Sequence, residues 1–458
     1  MTILNEFVNS IMFWAAWIII PLIMEIVPAI GSAFVLLKKF IKKKHYEDPQ
    51  IWPEITLIIP VYNSQDSLEA CIRSIEESTY PNDKIRIFLV NNQGKDNSFQ
   101  IYTKCQEKYP SLLMQWLNAK QGKSRALNLA LFNSDGKYIV HVDSDGVFEP
   151  HALCNLVRKF EAEPDIGCMT GAILIVPEMI EEYHGFGKIF REMEFMEYAQ
   201  AFLAGRNYAD DRNNIYTLSG AFSAFRKSAV LKSQMYNTDT ICEDTHITFQ
   251  MRFLQGVRIC ICENALFMVD PIEDVNKLYT QRQRWQRGSL EVSHQFLKDK
   301  LTVKNAFTDV TVRTLMYDHT FAFPRVIWYL ALICLMAMHF SSKMIALSTG
   351  MIMVFYIIVG YLYYISTVGF LREFPKLKKY YAKKWYIVPF LPLFNLVVFF
   401  IRLAGIVNSI GTDGAWKTKN LTQERESFTE EVFRELRKPK DMLEWLRSKV
   451  NEPEVEEI

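Results

Sequence analysis

Tyr138-Ile-Val-His141-Val-Asp143-Ser-Asp145 is a short run of β-forming residues that ends in two carboxylates one residue apart. Tyr138 to Val142 reads as a buried strand. In an open α/β sheet the ligand sits beyond the carboxyl ends of the strands, where Asp143 and Asp145 fall. Two carboxylates in that place suit a hard divalent cation that also takes phosphate oxygens. A solvated turn carries the same residues, so the pair draws its meaning from its surroundings.

Upstream, Lys120-Gln-Gly122-Lys123-Ser-Arg125-Ala-Leu-Asn128 opens a helix predicted over Lys123 to Phe132. A glycine before a lysine at a helix start leaves room for an anion, with Lys123 as a point charge for a diphosphate. An ordinary exposed, basic helix start has the same composition. Ile85 to Val90 reads as a strand and Asp96 to Tyr109 as the helix after it. Ile55-Thr-Leu-Ile-Ile-Pro60 reads as a buried strand, followed by a helix over Ser64 to Ser78 with Leu68, Cys71, Ile72 and Ile75 along one side. This alternation predicts an α/β fold whose buried parallel strands are covered on both faces. No GxGxxG follows the first strand, which excludes a dinucleotide oxidoreductase.

Downstream, Cys242-Glu243-Asp244 opens an amphipathic stretch from Thr245 to Leu254. Adjacent carboxylates at a helix start cap it and complement its dipole; one of them also suits a general base. Then comes Gln281-Arg-Gln-Arg284-Trp285. On a helix, Gln281, Arg284 and Trp285 fall at i, i+3 and i+4, on one face. An amide, a guanidinium and an indole together can bind a diphosphate and stack on a sugar ring. A basic juxtamembrane helix anchored by tryptophan is the plainer reading of the same residues.

Half of the 458 residues are apolar, and they concentrate towards the two ends. The net charge of +1 gives no reason to expect a nucleic-acid partner. The 8 cysteines form no CxxC pair; Cys260 and Cys262 share a strand face at most, and all read as reduced residues of a cytoplasmic domain. Ile11 to Leu37 is long and apolar enough to cross a bilayer. No lysine or arginine precedes it, and Lys38, Lys39, Lys42, Lys43 and Lys44 follow, so the domain after it is expected in the cytoplasm. A cleaved signal peptide fits poorly, for want of a charged n-region. Further on, Thr311 to Phe323 reads as interfacial, Val326 to Phe340 is apolar but shorter than a full span unless it starts near Thr320, and Ile345 to Phe370 reads as a span. Trp385 to Ile410 is a third apolar stretch, broken by Pro389 and Pro392 and carrying Arg402, which makes one crossing or a hairpin. The basic loop from Arg372 to Lys384 is expected inside, and the charged tail carries a helix from Thr429 to Val450. The resulting division is an anchor at 1–44, a catalytic domain at 45–285, interfacial and transmembrane helices at 286–410, and a tail at 411–458.

Taken in order, these motifs resemble the family 2 glycosyltransferases, especially the processive membrane synthases of cellulose, hyaluronan and poly-N-acetylglucosamine. Among subgroups the chain looks most like the exosortase-associated glycosyltransferases of Gram-positive bacteria. The resemblance runs from about Ile51 to the end. Pro60-Val-Tyr-Asn63 matches the opening strand end, Asp143 and Asp145 the metal pair, and Asp244 the catalytic base. Gln281, Arg284 and Trp285 match the Gln-x-x-Arg-Trp signature, and Ser219-Gly-Ala-Phe-Ser-Ala-Phe-Arg226 the acceptor-side loop. The resemblance implies a GT-A-like α/β catalytic domain flanked by transmembrane helices, in a multi-pass protein of the plasma membrane. It implies an inverting hexosyltransferase that moves a sugar from a nucleotide sugar, a UDP-sugar first, to a growing glycan or a lipid-linked acceptor. Mg²⁺ or Mn²⁺ would sit on Asp143 and Asp145. Asn92, Lys123, Asp143, Gln281 and Arg284 would face the donor, and Gly220, Glu243 and Trp285 the acceptor. One departure stands out: the family's Asp-Asp pair after the second strand is Asn91-Asn92 here. Asparagine accepts a hydrogen bond from a uracil imide through its carbonyl oxygen but brings no charge. That substitution leaves a non-catalytic scaffold or transporter component as a rival reading.

Overall fold

β1 (Ile55–Val61) is buried at every position, as a strand covered by helices on both faces must be. It pairs in parallel with β2 (Ile85–Asn91), Ile55 opposite Ile85 and Val61 opposite Asn91. β2 pairs in parallel with β3 (Leu113–Asn118), and β1 on its other side with β4 (Tyr138–Val142). This register brings the segments after β1, β2 and β4, with Asn63, Asn92, Asp143 and Asp145, to one edge of the sheet.

A computed structural model describes residues 8, 19, 21–42, 44–300, 302, 304, 305, 309, 311, 312, 323–339, 341–411 and 421–424. Beyond β4 the sheet continues through β5 (Gly146–Phe148), β6 (Ile166–Ile175), β7 (Phe222–Arg226) and β8 (Arg258–Val269), in the order β3-β2-β1-β4-β7-β6-β8-β5. β7 runs antiparallel to both β4 and β6, and β5 antiparallel to β8. The sheet is therefore mixed, not wholly parallel as the strand–helix alternation predicts. β7 is buried on both faces, so its side-chain pattern does not encode its direction. The Ser219–Arg226 segment is accordingly a short turn that leads into β7, not a loop throughout.

The helices are α1 (Val27–Ile41), α2 (Leu68–Glu76), α3 (Ser98–Lys108), α4 (Lys123–Phe132), α5 (Ala152–Ala162), α6 (Pro177–Glu181), α7 (Gly185–Tyr198), α8 (Arg206–Asp211), α9 (Lys227–Val230), α10 (Glu243–Phe249), α11 (Val275–Leu297), α12 (Phe323–Ala337), α13 (Ser342–Phe370), α14 (Pro375–Ala382) and α15 (Leu391–Gly411). α4 starts at Lys123 because Gly122, at φ +130°, turns the chain into it. α2 starts at Leu68 and not at Ser64, because Ser64 is engaged elsewhere. Its N–H donates to Ser98 Oγ at 3.0 Å and its hydroxyl lies 2.7 Å from Ser144 Oγ, which ties the ends of β1 and β4 to α3. α10 ends at Phe249, and the predicted amphipathic stretch continues as a π-turn, Gln250–Leu254. α11 is capped by the Asp274 carboxylate, which accepts from Lys277 N at 2.8 Å. The helix runs unbroken through Trp285 to Leu297.

The lysines after the first apolar stretch dock on the sheet domain. Lys39 lies 3.0 Å from Asp210 and 3.7 Å from Glu263, Lys38 lies 3.5 Å from Asp211, and Lys44 lies 3.2 Å from Glu163. α13 packs along α1, and α15 packs along α11. Ile345–Glu373 and Trp385–Asn408 are, among the described residues, the two helical segments long and apolar enough to cross a membrane. Leu391, Phe394, Val398 and Ile401 form the buried stripe of α15, while Leu393, Val397, Phe400 and Val407 stay exposed on the other side. Phe394 touches Phe190 of α7 with ring centroids 5.7 Å apart. Near the far end, a Cβ on Gly405 would come 3.4 Å from Gln283 Cα of α11. Residues 11–18 and 20 of the first predicted span, 313–322 of the interfacial segment and the tail helix over Thr429–Val450 lie outside the described residues.

Candidate active site

The strand ends, α10 and α11 enclose a cavity of about 1730 Å³ that continues between α1, α13 and α15. Every site residue chosen from the sequence lines it: Asn92, Lys123, Asp143, Asp145 and Gly220 from the sheet edge, Glu243 and Asp244 from α10, and Gln281, Arg284 and Trp285 from α11. Residues from opposite ends of the sheet domain thus meet in one space.

At its floor, carboxylates outnumber cations. Asp143 Oδ1 lies 2.5 Å from Lys123 Nζ, and Glu243 Oε1 lies 3.5 Å from the same nitrogen. Lys123 also donates to Gly220 O at 3.3 Å. Burial raises Asp143 to about 6 even though Lys123 pulls it down. Burial raises Asp145 as well, with Asp270 pushing the same way. Asp244 is held above the usual carboxylate range by burial and by the charge of Glu243. Burial works against the Lys123 charge, but Asp143 and Glu243 outweigh it and hold the ammonium above its ordinary value. Lys123, read from the sequence as a diphosphate contact, is here the counter-ion of two carboxylates.

Asp244 is fixed from two directions. Gly220 N donates to Oδ2 at 3.1 Å and Thr245 N donates to Oδ1 at 2.7 Å. Gly220 allows this approach, since a Cβ there would come within 3.0 Å of Oδ2. Asn92 Oδ1 accepts from Gly122 N at 2.6 Å. Its neighbour Asn91 accepts from Gly94 N at 3.0 Å and gives its amide to Asn118 Oδ1 at 3.1 Å.

Asp143 and Asp145 fit a divalent cation. They are hard oxygen donors, held near each other against the cost of burial in a site short of positive charge. Among the described residues, no group of three or more His, Cys, Asp or Glu side chains forms a complete cage. Two protein carboxylates completed by substrate phosphates and water are the usual arrangement for Mg²⁺.

α11 carries one residue that the sequence reading passed over. Arg282 is 1 % exposed. It donates through Nη2 to Glu197 Oε2 of α7 at 2.5 Å, and its guanidinium lies 4.4 Å from the centre of the Trp285 ring. Phe202 meets the same indole edge-on at 5.9 Å. Gln281 Oε1 is buried without a hydrogen-bond partner among the described residues. Arg206 is also buried; its burial lowers it to about 10, Asp244 resists that, and it donates to Thr170 Oγ1 at 2.9 Å. The available signal was the spacing Glu192-Met-Glu194-Phe-Met-Glu197, acids within an otherwise apolar helix that demand buried partners.

Residues 56–233 match the family model described as glycosyl transferase family 2. The chain carries a family 2 glycosyl transferase domain. The matched span includes Asn92, Lys123, Asp143, Asp145 and Gly220 and stops before Glu243. The poly-beta-1,6-N-acetyl-D-glucosamine synthase of Staphylococcus aureus strain MSSA476 is 26 % identical over 291 residues, 63 % of this chain and 66 % of that protein. The synthase of the same name from Staphylococcus epidermidis is 25 % identical over 279 residues, 59 % of this chain and 64 % of its own. The chain thus spans just under two thirds of the length of these curated relatives. A mannosyltransferase from Pyrobaculum calidifontis, solved with GDP-mannose and Mn²⁺, shares the fold at a TM-score of 0.55 and 18 % identity, covering 81 % of this chain and 96 % of that one.

Proposed function

We propose that this glycosyl transferase domain moves a sugar, with inversion, from a nucleotide sugar to a growing cell-surface glycan at the cytoplasmic face of a membrane. The observation that carries the reading is the single cavity that joins Asp143 and Asp145, Asp244 and the Gln281–Trp285 face to the apolar helices. A UDP-sugar is the donor proposed first, in line with the resemblance to the polysaccharide synthases.

Asp143 and Asp145 would hold Mg²⁺ or Mn²⁺, which when bound supplies positive charge for the donor's diphosphate. Arg284 adds a fixed charge of the same sign from α11. Asp244 takes the proton of the acceptor hydroxyl as its oxygen bonds to the anomeric carbon and the bond to the diphosphate oxygen breaks. Its raised pKa suits it, because a general base works best with a pKa near the working pH. Trp285, stiffened by Arg282 on its ring, is the platform under the acceptor sugar. Gly220 and Glu243 complete that side.

The apolar helices and the charges between them support a membrane placement. One span before Lys38, then α12 and α13, leave the basic loop from Arg372 to Lys384 in the cytoplasm. α15 keeps contact with the catalytic domain at both ends, so it is read as lying in the membrane plane, and the tail beyond Gly411 stays inside. The proposed division remains 1–44, 45–285, 286–410 and 411–458, with α11 bridging the second and third parts. Accessibility mapping with single cysteines tests the topology; Asp143 or the tail outside the cell overturns it.

The reaction is tested by incubating membranes with a panel of labelled nucleotide sugars, with and without chelator, for the wild type and Asp145→Ala. Transfer that needs both divalent cation and Asp145 is expected. Transfer at full rate in excess chelator removes the metal assignment, and no transfer from any donor favours the non-catalytic scaffold. Product length separates a processive synthase from an enzyme that adds one sugar to a lipid carrier.

A further inference from the structure

The Asn91-Asn92 pair is the place where the chain departs from its family's pattern, and its hydrogen bonds carry information about the donor. The atom of Asn92 that faces Gly122 N must be oxygen, because a backbone N–H can only donate. This fixes the orientation of the side-chain amide, which sequence alone leaves open. Oδ1 points to the start of α4, so Nδ2 points the other way. Nδ2 makes no hydrogen bond to any of the described residues, although Asn92 is only 5 % exposed. The residue lines the cavity together with Tyr62, Asn63 and Lys123. Asn91 offers no alternative, since both ends of its amide are engaged by Gly94 and Asn118. The wall at the carboxyl end of β2 therefore presents a neutral N–H donor to the cavity. A carboxylate in the same place presents acceptors only.

Resting on the proposed function, we infer that Asn92 reads the nucleobase of the donor through an acceptor atom of the base, a ring carbonyl oxygen or an unprotonated ring nitrogen, and not through a ring N–H. Uracil separates the two modes, because it carries carbonyl oxygens beside a single N3–H. Methylation at N3 removes the N–H and leaves the oxygens. Asn92→Asp keeps an oxygen for Gly122 N, and so keeps the turn into α4, but replaces the free donor with an acceptor.

The test uses the purified full chain in lipid nanodiscs with Mn²⁺, and measures binding of UDP and of 3-methyl-UDP. The wild type is expected to bind the two within about threefold of each other. Asn92→Asp is expected to bind both UDP and 3-methyl-UDP roughly five- to tenfold more weakly, the worth of one hydrogen bond lost at a buried partner. In transfer assays the loss falls on the donor KM and leaves kcat near its wild-type value. Rejection of 3-methyl-UDP by the wild type overturns the inference without any variant, and so does undiminished UDP binding by Asn92→Asp. If the wild type transfers sugar but either of these results is found, only the base reading fails. If it binds no nucleoside diphosphate and transfers nothing, the proposed function falls and this inference with it.

Discussion

The ion pair beneath Trp285 gives the sharpest test of how the proposed acceptor side is built. The Arg282 side chain is 1 % exposed and that of Glu197 11 %, so water screens their 2.5 Å contact little. Removing one partner of such a pair strands the other charge and costs about 3–5 kcal/mol. At roughly 2–4 °C per kcal/mol for a domain of this size, Glu197→Gln should lower the unfolding midpoint by roughly 6–20 °C. The double variant Glu197→Leu with Arg282→Met strands no charge and should recover most of that loss. It does not restore the cation over the indole, a contact worth about 0.5–2 kcal/mol. The acceptor KM should therefore stay raised by about 2- to 30-fold in the double variant, with the donor KM unchanged. Thermal unfolding in nanodiscs reads the first quantity, and initial rates with acceptor varied at saturating donor read the second. A single variant that melts with the wild type, or a double variant with wild-type acceptor dependence, refutes the reasoning.

Three further outcomes are expected. Asp244→Asn keeps the size of the side chain and one oxygen for Gly220 N or Thr245 N, which now donate to separate carboxylate oxygens, but loses the proton acceptor, so donor binding should survive while transfer falls by roughly a hundredfold or more. Near-wild-type transfer would return Asp244 to the role of a helix-start residue. Glu194 is raised by burial to about 7 from 4.5 while accepting from Ile272 N. A carboxyl raised on folding stabilises below its unfolded pKa and loses that contribution as pH rises through its folded one. The unfolding midpoint should thus decline between about pH 5 and 7, and Glu194→Gln should flatten that slope. A Cβ at position 288 would stand 2.6 Å from Cys242 Sγ and 2.5 Å from its Cβ, so Gly288→Ala must push α11 away from Glu243 and Asp244. The kcat should drop while nucleotide binding persists, and unchanged transfer would show that the helix position is not critical.

The first half of the sheet was legible because its central strands are apolar on both faces and its loops carry charged residues at strand ends. β1, β2, β4 and α4 fall where the alternation put them, within a residue or two. β3 was missed because it is an edge strand with several exposed positions and no apolar run. The antiparallel half was obscured for another reason. β7 was taken as part of a loop, and in β8 only the neighbourhood of Cys260 and Cys262 read as strand. Direction of pairing is set by tertiary packing, and apolar runs do not record it. Among the candidate site residues, Asn92, Lys123, Asp143, Asp145, Glu243 and Asp244 stood out as polar side chains at the ends of elements, whereas Gln281, Arg284 and Trp285 lie inside α11 and stood out by their spacing; the structure brings them all to one cavity. Arg282, Glu197 and Arg206 escaped because a buried charge looks in sequence like a solvated one; only the fold shows which charges lost their water.

The same distinction bears on how one helix could serve the proposed donor side, acceptor side and membrane helices together. Between positions 281 and 288, α11 turns each side to a different neighbour. Gln281, Arg284 and Trp285 face the cavity, and Gln281 brings to it a buried oxygen with no partner among the described residues. Arg282 turns to Glu197 of α7, Gln283 and Gln286 meet Gly405 of α15, and Gly288 sits against Cys242, which leads directly into Glu243 and Asp244. Two of these contacts admit no added carbon without movement or tight crowding, because a Cβ on Gly288 or Gly405 would lie 2.5 Å or 3.3 Å from the facing atoms. Close packing without slack transmits displacement instead of absorbing it. A shift of α15 therefore moves the Trp285 face relative to Asp244, the two groups between which the proposed mechanism aligns the acceptor hydroxyl. In the proposed mechanism the apolar helices therefore do more than anchor: through α11 they set the geometry in which the acceptor would meet Asp244.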